Sequence, residues 1–401
     1  MLDQQPNAGR VGLVTITGDS NFGNRLQNYA MQRIISKLGF SCRTILNTPH
    51  AAADRPRSLV RRLGGRLARR VFRGRAKRER VEALRLRGEK DARARAFSRA
   101  HIHETDFTIY RDTPTGYLDA MYDYFVVGSD QVWNPEFRKL AEIDFLTFAG
   151  KRKRIAFSAS IGIPEIPEEH RAFYSERLRD FAHISVRENA AAAIVHDLTG
   201  RTVPVTIDPT LMLGEADWAA LATAHPARPG TDYLLTYFLG PRSAACDELI
   251  RSCADRLSLK VVHLNDFSVG TFYAADPAEF LGLVRNARLH FTDSFHGAIF
   301  SVIFGTPFVT FDRAWFNMGS RLDTLLATLK LEHHKFGERM GVNQVERLLA
   351  RGMAHVGPIL ERKRAEARAY LASALLRTPA EGSGASPRAW SVGCVGRPAK
   401  L

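Results

Sequence analysis

The sequence predicts an α/β protein built from two Rossmann-like domains that face a cleft. Short apolar runs that end in polar clusters, VGLVTIT (Val11 to Thr17), YFVVGS (Tyr124 to Ser129), RIAFSAS and ISVRE, alternate with stretches of helical spacing, as in a parallel doubly wound sheet. After a turn-rich HPARPG (His225 to Gly230), DYLLTYFLG opens a second series of the same kind. The length, 401 residues with 45% hydrophobic and 25% charged side chains, exceeds one ordinary domain and suffices for two cores.

In order along the chain, VGLVTIT reads as a buried strand, and LQNYAMQRIISKLGF as a helix stopped by Gly39. Two α/β domains facing a cleft suit a transferase, because donor and acceptor can each occupy one domain and meet where water is excluded. On that expectation residues 1–225 form the first domain, on the acceptor side, with a basic insertion at 51–100. Residues 231–341 form the second, on the donor side, in which EFLGLVRNARLHFTDSFHGAIFSVIFGTPFVTF gives helix, strand, polar corner, helix and strand. A helix is expected over 342–377. The tail 378–401 contains TPAEGSGASPRAW, whose Pro, Ser and Gly content predicts disorder.

The net charge of +15 suggests nucleic acid until it is located. Residues 51–100 hold 18 Lys or Arg against 5 Asp or Glu, so 18 − 5 = +13 of the excess lies in one segment. Leu59, Leu63, Leu67 and Val71 recur there every fourth residue among arginines, a basic amphipathic pattern interrupted by Gly64 and Gly65. It reads either as a solvated insertion or as an attachment to an anionic membrane surface through residues 55–80. No recognition motif accompanies the charge, so nucleic acid is not expected as a partner. Cys42, Cys246, Cys253 and Cys394 lack the paired spacing of a zinc or redox site. With no signal-like N-terminus and no apolar run of about 20 residues, the expectation is a cytoplasmic protein, peripheral on the inner face of the plasma membrane if the basic segment binds lipid.

Four clusters carry chemistry. In TDSFHG, His296 follows a short strand and opens a helix whose first N–H groups attract anions, with Ser294 and Gly297 as further anion-binding candidates. The alternative is a helix-capping corner with Asp293 or Ser294 as the cap. Arg187 ends the strand of ISVRE, either as a fixed cation at the cleft or as half of a salt bridge to Glu188 or another neighbouring acid; Arg321 is a second anion clamp or a helix-surface charge. The loop GDSNFGNRLQ supplies Asn21, Asn24 and Gln27 but is not GxGxxG, so a dinucleotide is not expected; its plain reading is a turn capped by Asp19, Ser20 or Asn21. GSDQVWNP combines Ser129, Asp130, Gln131, Trp133 and Asn134, the mixture of acid, amide and aromatic that sugar sites use, or else a buried Trp beside a turn. No grouping has metal-ligand spacing; His333 and His334 are adjacent and cannot both face one site in regular structure.

Taken together, NFGNRLQNYAM, FVVGSDQVWNP, ISVRE, IDPT, YLLTYFLG, NARLHFTDSFHGAIFSVIFGTPFV and NMGSRLDTLL resemble the polysaccharide pyruvyl transferase family, from about Val11 to about Leu331. The resemblance implies a two-domain fold similar to that of GT-B glycosyltransferases, phosphoenolpyruvate as donor, no cofactor and no required metal. His296 resembles the family's catalytic histidine and Arg187 its donor-binding arginine. The implied function moves the enolpyruvyl unit onto a sugar of a surface polysaccharide or its lipid-linked precursor. That step forms a pyruvate ketal and releases phosphate; apart from the resemblance, His296 is the candidate acid and the carboxylate of Asp130 a candidate acceptor of a hydroxyl proton. A sugar-nucleotide-dependent glycosyltransferase and a noncatalytic glycan-binding protein are the alternatives. The Arg-rich segment before Phe97 is more basic than the family leads one to expect, and the tail after Leu376 matches nothing in it.

Overall fold

The computed structural model describes residues 8–18, 21–52, 75–227, 229–230, 232–313, 319–337 and 340–376, with the side chains of 75–80 outside that description. The amphipathic pattern Leu59 to Val71, the tail 378–401 and the candidate caps Asp19 and Ser20 lie outside the described residues.

The first half is a six-stranded sheet of β1 (Arg10–Val14), β2 (Ser41–Asn47), β3 (Glu104–Ile109), β4 (Tyr124–Val127), β5 (Arg154–Ala159) and β6 (His183–Val186). All neighbours are parallel, in the order β3-β2-β1-β4-β5-β6. The helices of this half are α1 (Phe22–Lys37), α2 (Arg75–His101), α3 (Pro135–Arg138), α4 (Glu168–Arg179), α5 (Asn189–Thr199), α6 (Pro209–Met212) and α7 (Glu215–Leu221). The second half has β7 (Tyr233–Tyr237), β8 (Lys260–Leu264), β9 (Leu289–Thr292) and β10 (Phe308–Thr310), parallel in the order β10-β9-β7-β8. With it go α8 (Ala244–Arg256), α9 (Pro277–Arg285), α10 (Phe295–Phe304) and α11 (Ser320–Leu329). The central strands β4 and β9 are buried at every residue; β4 accordingly reads as a continuous apolar run, whereas β9 buries His290 and Thr292 as well.

Beyond these strands, the structure has β2 and β3, whose sequences SCRTILN and ETDFTI mix polar with apolar residues because the start of β2 and one face of the edge strand β3 meet solvent. The helical pattern after residue 342 is two helices, α12 (Val342–Arg351) and α13 (Val356–Leu376). They are separated at Gly352, whose φ of 61° ends the first. α13 returns to the first half: Arg364 donates to the carbonyls of Leu211 and Leu213, and the Tyr370 hydroxyl to that of Ala156. α2 crosses the other way, Lys90 donating to Asn265 and Arg93 pairing with Glu279. No described helix is long and apolar enough to cross a membrane.

One apolar core runs through both halves. Phe22 stacks on Phe280 with centroids 4.9 Å apart, and Trp218 meets Phe300 edge-on at 4.9 Å. This seam fixes α1 against α10, so the starts of both helices meet at the carboxyl ends of the two sheets.

Two core histidines make stability sensitive to acid. His290 is fully buried on β9, its Nδ1 2.7 Å from Ser301 Oγ, and burial pushes its pKa down to about 3. His334 is pushed down to about 4, first by burial and then by its neighbours His333, His355 and Arg351, against the opposing bond from its Nδ1 to the Phe308 carbonyl. Both stay neutral in the fold but take up a proton near pH 6.5 when unfolded. The stability they confer is therefore complete above about pH 6.5 and drains as pH falls toward 4, on the order of a few kcal/mol per group. The melting midpoint should drop between pH 7 and 4.5, and drop less in His290→Asn; a midpoint constant over that range would contradict this.

Candidate active site

The residues nearest the chemistry sit where a strand has just ended or a helix begins. Ser129 and Asp130 follow β4, and Arg187 follows β6 directly. His296 is the second residue of α10, and Arg321 stands in the first turn of α11. Asp130 adopts a left-handed backbone, φ 67°, a conformation that Asp enters more readily than most residues with a side chain.

Asp208 gathers these groups. Its Oδ1 accepts from the Thr210 amide at 2.9 Å and the Thr210 hydroxyl at 2.7 Å, which caps α6 and fixes the carboxylate. Its Oδ2 accepts from Arg187 at 2.7 Å and from Ser129 Oγ at 2.7 Å, and lies 3.6 Å from His296 Nε2, an ion-pair distance. The second guanidinium nitrogen of Arg187 donates to Asp130 Oδ1 at 3.2 Å. Phe295 covers the network, its ring centroid 4.4 Å from the Arg187 guanidinium carbon and 5.6 Å from that of Arg321.

Burial by itself would raise the pKa of both carboxyls, but His296 and Arg187 hold Asp208 far below the usual range, and Arg187, His296 and Arg321 lower Asp130. Burial opposes the charge on Arg187 as well, yet Asp208 and Asp130 raise its pKa. At Arg321 burial prevails, helped by Arg187, and its pKa falls to about 10. Both carboxylates and both arginines are therefore charged at neutral pH.

Above the network opens a cleft of about 360 Å³ between the halves. Asn21, Asn24, Asp130 and Gln131 line it from the first half, Ser294, His296, Arg313 and Arg321 from the second, and Ile16, Phe137 and Leu239 form an apolar lip. Asp293 accepts from the amides of Leu239 and Gly240 at 2.7 and 2.8 Å and lies 3.4 Å from Arg313 Nε, so one carboxylate shapes the lip and aims a cation. Among the described residues no group of three or more His, Cys, Asp or Glu side chains is placed to hold a metal ion.

Several candidates have other tasks. Trp133 is 1% exposed, stacks on Phe145 and donates its indole N–H to the Asp144 carbonyl, so it cannot meet a sugar. Asn134 is fully buried and caps α3, while Gln27 donates to Thr15 Oγ1 and the Asn24 carbonyl below the cleft. The Gly297 amide is taken by the cap Ser294 Oγ at 3.2 Å, so neither closes on a donor as an open pair. Arg187, with 1% of its side chain exposed, lies beneath the lining; the cations that face the cleft are Arg313 and Arg321.

Three residues escaped the sequence. Asp208 stands in IDPT, where Asp before Pro signals a helix cap but not a partner for His296. Arg313 follows β10 in the second half. Gly23 lies so close to the imidazole that a Cβ there would fall 2.1 Å from His296 Nδ1.

Residues 21–314 match the family described as polysaccharide pyruvyl transferase. No curated protein matches the chain. Among solved structures it is similar to the glycosyltransferase SnogD from Streptomyces nogalater, at 12% identity over 92% of this chain and 99% of that one, with a TM-score of 0.39. It is also similar to the glycotransferase of kitacinnamycin, at 12% identity over 93% of this chain and 100% of that one, TM-score 0.39.

Proposed function

Because the chain belongs to the polysaccharide pyruvyl transferase family, we propose that it transfers the enolpyruvyl unit of phosphoenolpyruvate to a sugar of a surface polysaccharide or its lipid-linked precursor, forming a pyruvate ketal and releasing phosphate. The observation that carries the reading is His296 paired with the buried carboxylate of Asp208, 3.6 Å away, beneath a cleft lined by Arg313 and Arg321.

Phosphoenolpyruvate brings a carboxylate and a phosphate, about three negative charges, and guanidinium groups suit both. Arg313 and Arg321 bind them, while Arg187 acts from beneath by holding Asp130 and Asp208. His296, protonated and steadied by Asp208, gives its proton to the methylene carbon. The double-bond electrons form the new C–H bond, and positive charge develops on the central carbon. A sugar hydroxyl near Asn21, Asn24 and Gln131 adds there, and its proton goes to the imidazole that the first step left neutral. A second hydroxyl of the same sugar then displaces phosphate, which leaves with its bonding electrons and takes up the proton of that hydroxyl as the ketal closes. Asp130 is ionised, but its lowered pKa makes it a weak proton acceptor and a firm anchor for Arg187.

The test is phosphate release from phosphoenolpyruvate with a panel of oligosaccharide acceptors, in the presence of a chelator. Release of a uridine or cytidine nucleotide from a sugar nucleotide, with none of phosphate, would replace the reading by glycosyl transfer; saccharide binding without release from any donor would make the protein noncatalytic. Arg321→Ala should weaken phosphoenolpyruvate binding at least tenfold by calorimetry, about 1.4 kcal/mol. Equal affinities would remove Arg321 from the donor site.

A further inference from the structure

A second cavity, of about 330 Å³, opens on the far side of α3 from the cleft. The short helix divides the two: Phe137 lines the cleft, whereas Lys139 and Leu140 line the cavity. The divider is firmly held. Asn134 caps it, Pro135 starts it, and Arg138 donates to both oxygens of Asp144, at 2.8 and 2.7 Å, and to Asn47 at the end of β2. Left-handed backbone at Lys139 (φ 50°) and Leu140 (φ 55°) then carries the chain from one cavity to the other.

The walls of the second cavity mix the groups that hold a sugar ring. Tyr110, Thr113 and Thr115 come from the segment after β3, Lys139 and Glu142 from beyond α3, and Phe173 from α4. Phe173 is braced by Phe145, centroids 5.2 Å apart, and by the Arg177 guanidinium 3.7 Å over its face; Arg177 also pairs with Glu142. Aromatic area among hydroxyls, a carboxylate and an ammonium suits the apolar face and the hydroxyl edge of a pyranose. Phe137, 40% exposed, offers an apolar surface on the divider between the cavities. Building on the transferase reading above, we propose that this cavity binds the sugar unit next to the one that is modified. The acceptor is then an oligosaccharide that runs from the cleft across Phe137 to Tyr110 and Phe173.

The test compares binding of glucose, galactose, mannose and their N-acetylated forms with binding of disaccharides that end in each, by saturation-transfer NMR and titration calorimetry. One disaccharide should bind wild type about tenfold more tightly than its terminal monosaccharide, about 1.4 kcal/mol. That advantage should vanish in Thr115→Trp, which fills the cavity at a position whose side chain makes no capping bond. Phe137→Ala, at an exposed site, should reduce disaccharide affinity more than monosaccharide affinity; unchanged melting midpoints verify that both variants are folded. An advantage that survives in Thr115→Trp, or no disaccharide that outbinds its monosaccharide, overturns the proposal. A protein with the expected binding pattern that releases no phosphate from phosphoenolpyruvate keeps the cavity and loses the transferase reading.

Discussion

His296→Ala is expected to lower turnover by about 10²–10⁴-fold, the usual contribution of a positioned general acid. Donor affinity should change little, because Arg313 and Arg321 remain in the cleft lining. The fold should persist, since Ser294 still caps α10 and the substitution adds a good helix former in its first turn. Asp208 keeps its bonds to Arg187, Ser129 and Thr210, so no buried carboxylate is stranded. Phosphate release from phosphoenolpyruvate and titration calorimetry on the same preparation separate the two quantities. A variant that binds donor normally and turns over within a few-fold of wild type would remove His296 from proton transfer.

What the sequence revealed follows from how local each signal is. His296, Ser294, Asp130 and Arg187 were legible because a strand end and a helix start lie within a few residues of each, and such junctions are where doubly wound sheets place ligands. Their partners were not. Asp208 announces a cap for α6, and only the packing of α6 on α1 and α10 brings that carboxylate to Arg187 and His296. Trp133 shows the converse failure. Its neighbours in GSDQVWNP have a sugar-site composition, but Phe145 and the Asp144 carbonyl claim the indole, and Phe137 and Phe295 supply the aromatic surface in the cleft. Arg187 was expected to touch the donor because it ends a strand at the cleft; that two acids already occupy its nitrogens is a tertiary fact.

Gly23→Ala, the substitution of one hydrogen by a methyl on the opposite half of the molecule, is expected to cost nearly as much activity as loss of the imidazole. Gly23 is in the first turn of α1, its amide donating to the cap Asn21 at 2.9 Å. A Cβ there would lie 2.1 Å from His296 Nδ1 and 2.5 Å from Cγ, far inside contact distance. Neither backbone can yield cheaply. The start of α1 is held by the stack of Phe22 on Phe280, and nine of the ten residues of α10 are buried. The ring must swing away, and its 3.6 Å approach to Asp208 is lost. A displacement of about 1 Å of a catalytic group can cost about 10²-fold in rate, which sets the expected fall in turnover. Overpacking of about 1–3 kcal/mol is partly offset by the better helix propensity of alanine, so the protein should remain folded with a modest shift in melting midpoint. Donor binding should be nearly unchanged. In the His296→Ala background the same methyl meets no ring, so the second substitution should cost no further activity, a coupling that a double-mutant cycle reads directly. Wild-type turnover in Gly23→Ala, or full additivity in the cycle, would mean that the imidazole does not work from the position against α1 in which it is held.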